Sequence, residues 1–146
     1  MATDSALPSS VISHLRVRYA ETDQMGVVYH ANYLVWMEIG RTDYCRACEY
    51  AYHAMEAAGL RLVVAEARVR YLSPARYDDD IHITTRLLAL RSRQVVFGYD
   101  IRRATDDTLL ATGETTHLPT NHAGRIIRLP ADIHAALSTG PTGQAA

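Results

Sequence analysis

Lysine is absent from this chain: all 15 basic residues among its 146 are arginine, and against 16 acidic residues they leave a formal net charge of -1. No overall field would therefore draw it to nucleic acid or an anionic membrane. No run approaches the roughly 18 consecutive apolar residues of a membrane span. Met1 to Ser13 has neither a basic start nor a long apolar core, so it does not read as a secretion signal, and a cytoplasmic protein is expected. Cysteine is nearly missing too. Cys45 and Cys48 form a C-x-x-C without the strand context of a redox motif or a second pair to complete a zinc site, which makes them packing thiols. No metal is expected. No repeat divides the chain, and 48% hydrophobic residues are enough for one substantial core.

The hydrophobic pattern then sets the elements. Leu15, Val17 and Tyr19 alternate with Arg16 and Arg18, predicting a strand over His14 to Ala20. Glu21 to Gly26 is a polar loop leading to a long helix from about Asn32 to Ala58, whose stripe is Leu34, Met37, Tyr44, Cys48, Tyr52 and Met55. Asn32 is a candidate N-cap, Gly59 suits the position past the helix end, and Gly40 marks a close approach to another backbone. Beyond Gly59 the period changes to two. Val63, Ala65, Ala67, Val69 and Tyr71 share one face of a strand, ended by Ser73 to Arg76. Further strands are expected over Ile81 to Leu90, Gln94 to Ala104 and Leu109 to Leu118, with a short return strand over Arg125 to Leu129. Pro130 opens a last short helix through about Leu137. The domain is expected over 14–137, with mobile ends over 1–13 and 138–146. One helix and a largely antiparallel sheet make an α+β domain with exposed edges, for which pairing with a second copy is physically sensible.

The chemistry concentrates where loop meets helix. Asp23 lies seven positions before His30, close to the predicted helix start. A helix start offers unpaired N–H groups and a positive field able to polarise a carbonyl, while a nearby carboxylate can attack that carbonyl or activate water. A solvated loop aspartate and a hydrogen-bonded histidine are the plainer readings of the same two residues.

The run Arg18-Tyr19-Ala20-Glu21-Thr22-Asp23-Gln24-Met25-Gly26-Val27-Val28-Tyr29-His30-Ala31-Asn32-Tyr33 carries the pattern Asp-x-x-Gly-Val-Val-Tyr-His-x-x-Tyr. With Trp36, Glu38, Arg41, the run Arg70 to Asp79, Gly124-Arg125 and Leu129-Pro130, it resembles the 4-hydroxybenzoyl-CoA thioesterase family, especially its YbgC-type acyl-CoA branch, over most of residues 14 to 137. The resemblance implies a hotdog fold, a long central helix wrapped by a curled, mostly antiparallel sheet of about five strands, with active sites at the interface of a homodimer or homotetramer. It implies acyl-CoA thioester hydrolysis, with Asp23 as nucleophile or general base and the backbone N–H at His30 polarising the carbonyl. Coenzyme A enters as part of the substrate, and no cofactor is expected.

On the same resemblance Gly26 permits a tight loop, Val27, Val28, Tyr29 and Tyr33 shape an acyl pocket or fill the core, and Arg76, Arg91 and Arg93 face coenzyme A phosphates or solvent. Gln24-Met25 stands where the 4-hydroxybenzoyl enzymes favour proline, which leaves an aromatic acyl group open. Two other readings remain. A hotdog hydratase or dehydratase would show Asp-x-x-x-x-His, whereas six residues separate Asp23 from His30. A non-catalytic acyl-CoA-binding regulatory module would act through partners, since no DNA-binding segment accompanies the domain.

Overall fold

The computed structural model describes residues 9–142. Of the mobile ends expected over 1–13 and 138–146, residues 1–8 and 143–146 lie outside the described residues. Inside them, the ordered chain extends past the expected bounds of 14 and 137: Ser10 pairs with Arg86, and the Thr142 N–H donates to the Ala47 carbonyl at 2.8 Å.

Five strands form one antiparallel sheet: β1 (Ser10–Arg16), β2 (Arg61–Tyr71), β3 (Asp80–Arg91), β4 (Gln94–Arg103) and β5 (Leu109–Thr120). Their spatial order is β1-β3-β4-β5-β2, which puts the first two strands of the chain at the two edges. The helices are α1 (Asn32–Ala47), α2 (Glu49–Ala58) and α3 (Ala131–Thr139). Ile81, Ile83 and Leu87 of β3 and Val95, Phe97, Tyr99 and Ile101 of β4 are buried on the face that receives α1, which buries Trp36, Met37 and Tyr44 in return. This is the α+β hotdog arrangement that the sequence resemblance implies.

Several details differ from the sequence reading. The first strand occupies Ser10–Arg16, not His14 to Ala20, because Val17 N–H donates to Asp79 O and Tyr19–Glu21 coils into a single 3-10 turn with Tyr19 facing solvent. The expected single helix is broken at Cys48 (φ -89°, ψ 65°) into α1 and α2. Leu34, placed on the inward stripe by its spacing, points outward, because Tyr33, Trp36 and Met37 take the inner face. The return strand over Arg125 to Leu129 reduces to one bridge, Thr120 with Ile126. Val63 and Val69 do not share a face in β2, since a bulge between Val64 and Glu66 inverts the alternation: Leu62 and Val69 turn to the core while Val63 and Val64 are exposed.

Gly59 takes the left-handed conformation (φ 66°) that ends α2. Gly40 does mark a close approach, but to side chains: a methyl there would collide with Thr85 Oγ1 and press on Ile83. Cys45 and Cys48 are buried, and desolvation pushes their thiols up to about 11 and about 12, so they pack as neutral groups.

One buried polar chain was not visible in the sequence. Arg41 donates to the Tyr99 hydroxyl (3.3 Å), which bonds Thr115 Oγ1 (2.6 Å); Thr115 in turn meets His117 Nε2 (2.8 Å), and His117 Nδ1 meets the Leu62 carbonyl (3.1 Å). A carbonyl only accepts, so Nδ1 carries the hydrogen and Nε2 is the acceptor of a neutral ring. Burial, helped by the Arg41 charge, lowers the His117 pKa from 6.5 to about 4. Between those values the unfolded chain binds a proton that the folded chain refuses, so stability is full above pH 6.5 and falls as the pH drops toward 4. Across that window the loss is about 3 kcal/mol. Urea denaturation at several pH values checks this: His117→Gln is expected to show a flatter acid limb than the native chain, and parallel limbs would contradict it.

Candidate active site

Three elements meet where the chain enters α1. The loop from Thr22 to Val28 closes on itself through a Thr22–Val28 bridge, with Asp23 N–H donating to Val27 O (2.8 Å) and Gly26 N–H to Asp23 O (3.0 Å). Gly26 has φ 81°, a left-handed conformation that costs a side-chain-bearing residue energy, which accounts for glycine in the motif. Asp23 is half-buried, and its carboxylate turns back onto the loop. Oδ1 accepts from Met25 N–H (2.9 Å) and, at 3.5 Å, from Val27 N–H. Among the described residues Oδ2 has no hydrogen-bond donor, so one oxygen is anchored and the other is free.

Glu21 holds this loop to the helix. Its side chain is buried, with Oε1 accepting from Arg18 N–H (2.8 Å) and Oε2 from Trp36 Nε1 (3.0 Å), and Arg18 lies at 3.6 Å to balance the charge. Its backbone carbonyl accepts from Tyr29 N–H (2.9 Å) and Asn32 Nδ2 (2.8 Å). Asn32 is therefore a tether inside the first turn and not the N-cap, a position that Ala31 occupies. With Glu21 as the fixed point, the loop and the helix start keep one relative position.

The helix start itself is open. Tyr33 N–H donates to His30 O (3.3 Å) and Asn32 N–H to Tyr29 O (2.9 Å), but the N–H groups of His30 and Ala31 find no acceptor among the described residues. Such unpaired N–H groups at the positive end of a helix suit a developing negative oxygen. Of the two residues, His30 lines a pocket of about 280 Å³, walled by Val27, Val28, His30 and Tyr33 on one side and by 71–74 on the other.

Not every residue expected at the site is gathered here. Val27 and Val28 line the pocket, and Tyr33 does so while filling the core; its hydroxyl accepts from Ala75 N–H (3.1 Å). Tyr29 is exposed and lies against the His30 ring (4.5 Å between centroids), outside the pocket wall. Arg76 stands two residues beyond Pro74, on the pocket's end of the sheet, with its N–H donating to Asp79. Arg91 and Arg93 sit at the other end of β3, roughly 35 Å from Asp80 at the usual rise per strand residue, so within one chain they do not reach this pocket.

Two residues at the site escaped the sequence reading. Glu21 looked like a loop carboxylate: it reaches back to the Arg18 N–H as one half of a capping box, but with arginine where Ser or Thr would stand no sequence signature announced it. Tyr71, assigned only to a strand, donates from its hydroxyl to His30 O (2.9 Å). A larger depression of about 320 Å³ on the opposite face of the sheet engages none of the expected residues, and its Arg68 and Arg86 pair with Glu114 and Asp100.

If the Glu21 contact anchors the loop, removing the indole donor leaves a buried carboxylate oxygen short of a partner. Trp36→Phe is expected to lower the unfolding free energy by about 2 to 3 kcal/mol, the order found for a buried charged acceptor that loses its donor. A urea midpoint unchanged from the native chain would remove that role from the pair.

Comparison with known proteins bears on this geometry. A family model described as the thioesterase-like superfamily matches residues 17–137. The acyl-CoA thioester hydrolase YbgC of Escherichia coli is 38% identical over 100 residues, 68% of this chain and 74% of that protein. The putative acyl-CoA thioesterase YneP of Bacillus subtilis is 42% identical over 87 residues; that match spans 60% of this chain and 63% of the relative's length. Among solved structures, the DHNA-CoA thioesterase of Staphylococcus aureus superposes with a TM-score of 0.82 at 30% identity, covering 89% of each chain.

Proposed function

This chain belongs to the thioesterase-like superfamily, and on that premise we propose that it hydrolyses the thioester of an acyl-coenzyme A to the free acid and coenzyme A, in the pocket between the Asp23 loop and the start of α1. The observation that carries the reading is the pairing of a loop-anchored carboxylate with two N–H groups at a helix start, those of His30 and Ala31, that have no acceptor among the described residues. Acyl transfer needs both parts. One group must attack, or prepare water to attack, the carbonyl carbon, and another must hold the negative charge that gathers on its oxygen.

In the proposed reaction the thioester oxygen lies toward the His30 amide, and Asp23 Oδ2 faces the carbonyl carbon or the water beside it. As a general base, Asp23 takes a proton from water while the water oxygen bonds to carbon; the tetrahedral intermediate collapses by breaking the C–S bond. As a nucleophile, it forms a mixed anhydride with loss of coenzyme A thiolate, and water then cleaves the anhydride. Both routes end in the same products. The departing thiol has a pKa of roughly 8 to 9, so it leaves as thiolate without a strong acid beside it. This chemistry calls on no cofactor. The His30 imidazole has no assigned step, and its backbone carries the contribution.

Arg76, exposed at the pocket's end of the sheet, is the proposed contact for coenzyme A phosphate. Arg91 and Arg93 could serve that purpose only for a site on another subunit. A second copy has support of its own: the edge strand β2 leaves Val63, Val64 and Tyr71 exposed, and a 280 Å³ pocket is small for an acyl-CoA, so pairing of edges would both cover apolar surface and deepen the site.

The acyl group divides between aromatic and aliphatic, and a thiol-release assay over a panel of both decides it. In that assay Asp23→Asn, which keeps an acceptor for the Met25 N–H, is expected to lose at least 100-fold in kcat, the order set by removal of a general base. Binding of a non-hydrolysable thioether analogue, followed by calorimetry, is expected to stay within a few-fold of the native chain. Native rates in the variant would overturn the assignment of Asp23.

A further inference from the structure

We propose that Tyr71 is a positioning residue of this site, acting through the peptide bond between His30 and Ala31. The inference rests on the thioesterase reading above. Tyr71 is the last residue of β2, and the chain just after it is pinned, with Leu72 N–H and Ser73 N–H both donating to Leu110 O (2.8 and 3.1 Å). From that fixed strand end the phenol reaches 41 residues back along the chain and donates to His30 O at 2.9 Å. Its ring meets Tyr33 edge-on (5.1 Å, 87°) and the His30 ring at 6.4 Å, so the hydroxyl has little room to swing.

The carbonyl it grips belongs to the same peptide unit as the Ala31 N–H. A hydrogen bond to a peptide oxygen draws electrons toward that oxygen and leaves the N–H of the unit a stronger donor, and it also fixes the plane in which that N–H points. The Ala31 N–H is one of the two at the helix start without an acceptor among the described residues. Tyr71 thereby strengthens and fixes the Ala31 N–H, the neighbour of the His30 amide toward which the thioester oxygen lies in the proposed reaction, without itself touching the reacting atoms. No other hydrogen bond of the described residues ties the end of β2 to the start of α1. Burial raises the pKa of the phenol, which keeps it a donor through the neutral and mildly alkaline range.

The test is Tyr71→Phe, which removes one exposed hydroxyl and keeps the ring. With the best substrate of the acyl-CoA panel, kcat is expected to fall on the order of tenfold, about 1.4 kcal/mol in barrier, with KM within twofold and the melting temperature unchanged. A structural role alone would move the melting temperature instead. In 15N-labelled protein without substrate, the Ala31 amide is expected to shift upfield in the variant. Tyr71→Leu, which removes ring and hydroxyl together, is expected to match the kcat of Tyr71→Phe if the hydroxyl is what matters. An active native chain with an equally fast Tyr71→Phe overturns the inference, whether or not the Ala31 amide moves. A native chain inert across the whole panel overturns the thioesterase reading, and the inference falls with it.

Discussion

A buried carboxylate has to be hydrogen-bonded or it destabilises the fold that buries it, and at Glu21 that requirement organises the whole entry to α1. Four donors to one residue, the Arg18 N–H and the Trp36 indole on its carboxylate and the Tyr29 N–H and Asn32 amide on its backbone carbonyl, join the end of β1, the loop and the first turns of the helix. The site needs this because its two working parts come from different local structures. Asp23 sits in a tight turn, and the open N–H groups sit on a helix start. Neither has a direct bond to the other, so their relation is set through Glu21 on one side and, on the other, through Val28 N–H to Ala75 O at 2.9 Å.

The sheet supplies the second constraint. Antiparallel pairing of β3, β4 and β5 buries one face against α1, and close contact is possible because Gly40 lets the helix settle on Thr85 and Gly113 makes room for Met37. A helix pressed this near the sheet brings its first turn beside the last residue of β2. The pocket is the gap left between them, and its wall is shared by residues from both ends of the motif region. Polar groups sealed in the same interior, from Arg41 to His117, are satisfied by one another in a single directed chain.

The sequence reading succeeded where the cause is local. Alternation of period two located β3, β4 and β5 to within a few residues, glycine preferences identified the ends at Gly26 and Gly59, and the Asp-to-His motif marked the loop and helix start. It erred where the cause is a competition for the inner face, a change of phase or a contact far along the chain. The break at Cys48 and the bulge in β2 change phase without a proline or glycine to announce them, and Leu34 lost the inner face to larger neighbours at adjacent positions. Asn32 has the chemistry of a cap, yet its side chain is taken by Glu21 O, eleven residues earlier.

What the sequence by itself determined, then, is the kind of domain, its family likeness and the segment that holds Asp23 and His30, because periodicity, turn preference and a contiguous motif are properties of neighbours. The tertiary structure decided which groups are left free and which are bound. It anchored one Asp23 oxygen and left the other open, buried Glu21, carried Arg91 and Arg93 to the far end of β3, and brought the Tyr71 hydroxyl onto His30 O. Hydrogen bonding falls off within a few tenths of an ångström, so a partner 41 residues away is settled only when the curl of the sheet and the seat of the helix are both complete.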